Sequence, residues 1–227
     1  MAGTSERRPM KWISPRRPKA PSRLHVGCGI AILPGWCNID IQALPGVDVV
    51  ADVTKGLDFK DVEFIFCEHF IEHLQLDDGI RFLHRCCAAL RPGGILRLST
   101  PNLDWVYVTH YDLQAEPPKK ITNAMMLNRA FHGWGHHFLW NVESLEHVLV
   151  GVGFGQAERC EYAHSAHPEL QGLERHERCE ATPSLPDVIV VEATRGPSGP
   201  ASSQVLAEIL GQAREQYLQF LEWKVER

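Results

Sequence analysis

The sequence lacks the features that mark several large classes of protein. No apolar run approaches the ~18 residues that a membrane span needs, and no internal repeat is visible. Its seven cysteines include no CxxC pair. That excludes a zinc ribbon or a disulfide framework and points to a reducing, cytoplasmic compartment. Aromatic residues are few, 8% of 227, while 44% of the chain is apolar and 22% charged. Global disorder is excluded, and there is enough chain for one large domain with a real core.

Basic charge is scarce outside the N-terminus. Residues 1–23 hold seven basic side chains against one acid, Glu6, so the rest of the chain is strongly acidic within a net charge of −5. Pro9, Pro15, Pro18 and Pro21 exclude a helix there. Arg7-Arg8 has the look of a twin-arginine signal, but no apolar region follows it. Residues 1–22 therefore read as a flexible basic lead-in. An acidic body with no basic groove excludes nucleic acid as the main partner.

From Arg23 the chain alternates short apolar strands with helix or loop. Strands are expected at Leu24–Val26, Cys37–Ile41, Val47–Ala51, Glu63–Cys67 and Ile95–Ser99. A helix is expected from about Asp77 to Leu90, with Ile80, Leu83, Cys87 and Leu90 on one face, stopped by Arg91-Pro92-Gly93-Gly94. A second helix spans Val142–Val152, and further strands follow at Gly155–Ala163 and Asp187–Ala193. Such alternation predicts an α/β fold with a mostly parallel sheet whose ligand site lies at the carboxyl ends of the strands. Residues 103–140 show no clear periodicity and are rich in Trp, Tyr, Phe and His. Residues 196–202 read as a linker. Residues 203–227 form an amphipathic helix striped by Leu206, Ile209, Leu210, Ala213, Tyr217, Phe220 and Leu221. A stripe so apolar must be buried, either on its own domain or in a homodimer; the dimer is the expectation here.

Gly27-Cys28-Gly29 follows the first strand, where absence of a Cβ lets backbone approach a ligand closely. A dinucleotide fingerprint would need a third glycine at position 32, which is Ile, and an acid about 20 residues on; Asp40 comes after only thirteen. A ligand without a diphosphate fits better. Asp40 at the second strand end suits two ribose hydroxyls, and Asp52 at the third suits an exocyclic amine.

These segments carry a family resemblance. Leu24-His25-Val26-Gly27-Cys28-Gly29 followed by Leu33-Pro34-Gly35-Trp36-Cys37-Asn38-Ile39-Asp40 resembles the opening of class I S-adenosylmethionine-dependent methyltransferases, in particular a compact bacterial subgroup reading GCG…PGW-N-D. Cys67-Glu68-His69-Phe70-Ile71-Glu72-His73-Leu74, Leu90 to Asn102 with its Pro-Gly-Gly, Gly133-Trp134-Gly135-His136 and Gly153-Phe154 are also similar. The resemblance covers residues 23–195. It implies a Rossmann-like, mostly parallel seven-stranded sheet with an antiparallel last strand and helices on both faces. It implies S-adenosylmethionine as cofactor, released as S-adenosylhomocysteine, bound by Gly27, Cys28, Gly29, Asp40, Asp52, Cys67, Glu68 and His69.

His69-Phe70-Ile71-Glu72-His73 also matches the H-x-x-E-H zinc string. A zinc peptidase would need a third ligand and a cleft, whereas here the string follows a strand of a nucleotide-type sheet, so no metal is expected. Methyl transfer to a hydroxyl needs a proton acceptor, and histidine suits neutral pH. His110, His132, His136 and His137 lie in residues 103–140, an insertion expected to cover the acceptor. His136 is the first choice as catalytic residue and His137 the second. Trp105, Tyr107, Trp134 and Trp140 are candidate pocket walls. The expected activity is methylation, at O or N, of a small-molecule or glycan-type acceptor. A non-catalytic module that keeps only the cofactor pocket is the alternative.

Overall fold

The computed structural model describes residues 11–12, 20–176 and 185–222. Eight strands form one sheet: β1 (Lys11–Trp12), β2 (Arg23–Val26), β3 (Cys37–Asp40), β4 (Val49–Val50), β5 (Val62–Glu68), β6 (Leu90–Pro101), β7 (Phe154–Arg159) and β8 (Val188–Arg195). Their order is β1-β4-β3-β2-β5-β6-β8-β7. The neighbours from β4 through β6 are parallel, while β8 enters antiparallel between β6 and β7. The sheet is thus mixed, with the antiparallel last strand that the resemblance implied. Beyond the expected seven strands, β1 pairs antiparallel with β4 at the edge, inside the stretch read from sequence as a flexible lead-in.

The two faces of the sheet are covered differently. Alternate residues of the strands, among them Leu24, Ile39, Ile65, Cys67, Leu96, Leu98 and Val191, join one core with α1 (Leu76–Ala89), α4 (Val142–Gly151) and α5 (Ser203–Glu222). The other face carries Phe64, Phe66 and Ile95, packed on Leu33, Trp36, Leu170 and Leu173 from turns and loops. No helix contributes to this second cluster among the described residues, which corrects the expectation of helices on both faces. The physical reason is length: residues 27–36 join β2 to β3, too few for a crossover helix, which takes a dozen or more. Asn38 does the holding instead. Its Oδ1 accepts from Leu33 N at 2.9 Å, and its Nδ2 donates to Leu33 O and Trp36 O, both at 3.1 Å.

Residues 103–140, aperiodic in sequence, form α2 (Leu103–His110) and α3 (Pro117–His132), with Pro117 and Pro118 in the first turn of α3 where their missing N–H costs nothing. Both share a small cluster of Val106, Ala130 and Leu139 apart from the main core. At the other end, residues 196–202 dock on the α4–β7 turn: Ala201 N donates to Val152 O at 3.0 Å, and a Cβ on Gly153 would lie 2.5 Å from Gly199 O. Leu206, Ile209, Leu210 and Ala213 then pack on the main core of the same chain, and Arg214 pairs with Asp77 at 2.5 Å. The stripe is thus covered within its own chain as far as Ala213, and the expected homodimer gains no support from it. The side chains of Tyr217, Phe220 and Leu221, and Trp223, lie outside the described residues. No helix among the described residues is long and apolar enough to cross a membrane.

Candidate functional site

A cavity of about 440 Å³ opens at the carboxyl ends of β2, β3 and β4. Its size falls within the ~300–1,000 Å³ typical of small-molecule sites. Gly27, Asp40, Gln42, Asp52 and Thr54 line one side, and His69, Phe70, His73 and Leu74 from the segment after β5 line the other. Gly27 has φ +67°, and a Cβ there would lie 2.4 Å from Phe70 Cδ2. The glycine therefore permits the backbone turn and the approach of Phe70 together.

Asp40 is fixed by backbone on both sides. Its Oδ2 accepts from Gly29 N at 2.8 Å and its Oδ1 from Gln42 N at 2.9 Å. Each oxygen keeps a second acceptor position. Asp52 makes both its hydrogen bonds through Oδ1, from Thr54 N at 3.0 Å and Thr54 Oγ1 at 2.6 Å. Cys28 and Gly29 adjoin the cavity in sequence but do not line it; Cys28 is buried, and burial and then the nearby Asp40 charge push its thiol up to about 12. It is no nucleophile at neutral pH.

The segment after β5 divides its residues between roles. Cys67 turns into the main core, where burial raises its thiol well beyond the usual range. Glu68 accepts from Arg175 N at 2.7 Å and His176 N at 3.1 Å, and so holds the loop that covers the helix-free face. His69 adopts φ +46° and lies with Nδ1 3.0 Å from Glu72 Oε1. Its ring meets that of His176 at a centroid distance of 4.0 Å. Ile71–His73 is a single 3-10 turn, so the H-x-x-E-H string does not lie on an α-helical face. Glu72 is fully buried and accepts from Thr100 Oγ1 at 3.0 Å.

The insertion reaches the rim of this cavity only at its far end. The backbone carbonyl of Glu72 accepts from His137 N at 2.8 Å and Phe138 N at 3.2 Å. Those two bonds bring His136 beside His73, with ring centroids 5.1 Å apart. His136 is half-buried, and its Nδ1 lies 2.8 Å from Ala130 O. His137 is exposed, held by Gln75 Nε2 at 3.1 Å from its Nδ1. Before His136, Trp134 sits in the left-handed region at φ +57°. His110 packs on Trp105 away from the cavity, and His132 is exposed. None of the four aromatics proposed as walls lines it. Trp140 is buried in the main core, Trp105 belongs to the α2–α3 cluster, and Tyr107 and Trp134 are exposed.

The comparisons with known proteins fall on this geometry. The family model described as "Methyltransferase domain" matches residues 6–156, well over half of the chain. The chain belongs to the methyltransferase-domain family. No curated protein sequence matches it. Among solved structures it is similar to a possible exported protein from Bordetella parapertussis, at 16% identity and TM-score 0.48, over 78% of this chain and 62% of that one. A SAM-dependent methyltransferase from Archaeoglobus fulgidus matches at 14% identity and TM-score 0.48, over 78% and 87%. Phosphoethanolamine N-methyltransferase 2 from Haemonchus contortus matches at 14% identity and TM-score 0.45, over 79% and 50%. The chain thus spans between half and nine tenths of these structures' length.

Methyltransferases of this family take the methyl group from S-adenosylmethionine, and the cavity fits that molecule on its own evidence. It has a carboxylate with a spare acceptor position on each oxygen and a backbone turn without a Cβ on its inner wall. Sequence reading missed Gln42 and Thr54 and gave His73 no role in the site. Gln42 and Thr54 orient the two carboxylates, and His73, quoted only within the Cys67–Leu74 resemblance and the zinc string, lines the cavity with the buried Glu72 behind it. The spacing of Asn38 behind Pro34-Gly35-Trp36 was the one signal of the loop that shapes the inner wall.

Proposed function

We propose that this chain is an S-adenosylmethionine-dependent methyltransferase that methylates an oxygen or nitrogen of a small-molecule or glycan-type acceptor. The observation that carries this reading is one cavity joining a two-armed carboxylate, Asp40, to the imidazole of His73, whose ring lies 5.1 Å from that of His136 just outside the lining. Bound S-adenosylmethionine supplies an electrophilic methyl group on a sulfonium sulfur. Asp40 receives the ribose hydroxyls, one on each oxygen, and Asp52 receives a donor from the base. Gly27 and the backbone through Gly29 pass beside the rest of the cofactor.

The acceptor enters from the side of His69, His73 and His136. The transferring methyl needs an aligned lone pair and a water-free path more than it needs a stabilised anion. His136 takes the proton of the acceptor: the carbonyl of Ala130 accepts from Nδ1–H, which leaves the Nε2 lone pair as the base. His137, exposed and engaged with Gln75, serves as a second candidate for the same task. The GCG…PGW-N-D opening supports placement in the compact bacterial subgroup, and the acidic body supports a non-nucleic-acid acceptor.

The test is formation of S-adenosylhomocysteine against an acceptor library, read by mass spectrometry with labelled methyl. His136→Ala should retain cofactor binding and lose on the order of 10²–10⁴-fold in turnover. Cofactor binding without turnover on any acceptor would favour the non-catalytic module.

A further inference from the structure

Glu72, His73 and His136 present one ligating atom each within 4.8 Å of the other two. We propose that these three residues bind a divalent first-row transition ion at the rim of the cofactor cavity, and that the ion receives a hydroxyl of the acceptor. The inference rests on the methyltransferase reading for its substrate and on the cluster's own chemistry for the metal.

The donor set is one carboxylate and two imidazoles, which suits zinc, manganese, iron or cobalt better than calcium or magnesium. Second contacts already orient both imidazoles. His136 Nδ1 lies 2.8 Å from Ala130 O and His73 Nδ1 lies 3.3 Å from Gly135 O. A carbonyl only accepts, so each Nδ1 carries the proton and each Nε2 keeps the lone pair that a metal takes. The carboxylate supplies an independent sign. Glu72 is 0% exposed, and while Oε2 accepts from Thr100, Oε1 makes no hydrogen bond, its 3.0 Å contact with His69 Nδ1 notwithstanding. A buried carboxylate oxygen without a hydrogen bond is costly unless a cation answers it, and the His69 imidazole does so only when protonated. The two segments are also stapled together by His137 N and Phe138 N on the Glu72 carbonyl, so the third ligand does not depend on chance approach. Ligands of a zinc ion stand roughly 3.3 Å apart, given bonds of about 2.0–2.2 Å. The cluster, with its ligating atoms within 4.8 Å of one another, must close by about 1.5 Å to reach that spacing.

Three protein ligands leave open positions, as in catalytic rather than structural sites. An acceptor hydroxyl bound there becomes more acidic. Its proton passes to solvent, its oxygen lone pair forms the new bond to the methyl carbon, and the sulfur–methyl bond breaks with its electron pair retained by sulfur. The products are the methyl ether, S-adenosylhomocysteine and one proton. In the metal-loaded chain His136 is a ligand and the ion readies the oxygen; in the metal-free chain its Nε2 stays available as the base. The proposal departs from the sequence expectation of no metal: the H-x-x-E-H string contributes two ligands, Glu72 and His73, while the third comes from the Gly-Trp-Gly-His loop.

The test uses tag-free, metal-stripped full-length protein titrated with Co²⁺, followed by visible absorption, and with Zn²⁺, followed by calorimetry. The expected result is one ion per chain, with affinity reduced on the order of 100-fold or more in both His136→Ala and His73→Ala. His147→Ala, on α4 outside the cluster, should bind as the unaltered chain does. Both variants lie at half-exposed positions, so circular dichroism can certify their fold, whereas Glu72→Gln alters a fully buried carboxylate. No saturable binding by the unaltered chain, or equal affinity in His136→Ala, would overturn the site. Methyl transfer that a chelator leaves undiminished would overturn the role of the ion while leaving the methyltransferase reading intact. S-adenosylhomocysteine binding, measured separately without metal, reports on that reading alone.

Discussion

The two faces of the sheet solve one packing problem by opposite means. On one, α1, α4 and α5 lay leucines, cysteines and isoleucines over the strands. On the other, loops do the covering, and buried polar side chains hold the loops. Arg97 of β6, 0% exposed, pairs with Glu174 at 2.5 Å and Glu192 at 2.6 Å and donates to His164 O at 3.0 Å. Burial disfavours its charge, but the bonds to Glu174 and Glu192 raise its pKa further. Asn38 ties down the Pro34-Gly35-Trp36 turn, and buried His25 contributes Nδ1 at 3.1 Å from Asn38 Oδ1. Where the chain is too short for a crossover helix, directional bonds replace apolar area. The difference matters for function because the Asn38 loop leads directly into Asp40 and the cofactor wall.

The contrast can be broken most forcefully at Arg97. Arg97→Met leaves Glu174 buried without its partner and should cost about 3–5 kcal/mol by urea unfolding. Adding Glu174→Leu should recover most of that loss, since an apolar pair of similar volume needs no counter-charge. On the helical face, Leu83→Ala should cost a comparable ~2–5 kcal/mol through its cavity, with no such rescue by a charge change. Asn38→Ala should cost about 1–3 kcal/mol by leaving Leu33 and Trp36 backbone groups unpaired, and it should weaken cofactor binding as well. Leu83→Ala, remote from the cavity wall, should weaken binding far less.

A pH titration sharpens the same comparison at smaller scale. Burial pushes His25 down to about 4, against the upward pull of its Asn38 hydrogen bond. Unfolded, it titrates near 6.5, so between these values the unfolded chain binds the extra proton and stability falls as pH drops. The loss between pH 7.5 and pH 5 should be about 2 kcal/mol. His25→Gln should remove most of that dependence, as measured by the urea midpoint at the two pH values. An unchanged slope would place the acid sensitivity elsewhere.

Much of the helical face was legible in the sequence, because its signal is periodic. Ile80, Leu83 and Cys87 repeat at helical spacing, and the Pro92-Gly93-Gly94 stop follows them. The polar face was not, because Arg97 and Glu174 are 77 residues apart and neither shows its partner locally. Residues 103–140 hid two helices for a related reason. Tyr107, Val108, Ile121 and Met125 are exposed, so their apolar residues do not fall on one buried stripe. At the site, Gly27, Asp40 and Asp52 could be read because glycine turns and acids at strand ends are local features. Cys67 and Glu68 shared the right segment but point into the core and the covering loop. Glu72 and His73 appeared in a resembling segment and a zinc string but received no role, since the residue that completes their cluster comes 63 positions later, at His136.

The most direct measurement is a calorimetric titration of S-adenosylhomocysteine into the unaltered chain and into Asp40→Asn. Saturable one-to-one binding is expected, weakened about 10- to 100-fold by the substitution, the range for hydrogen bonds to a charged group. Absence of binding to the unaltered chain, or equal affinity in Asp40→Asn, would contradict the account that the cavity at the strand ends is a methyl-donor site.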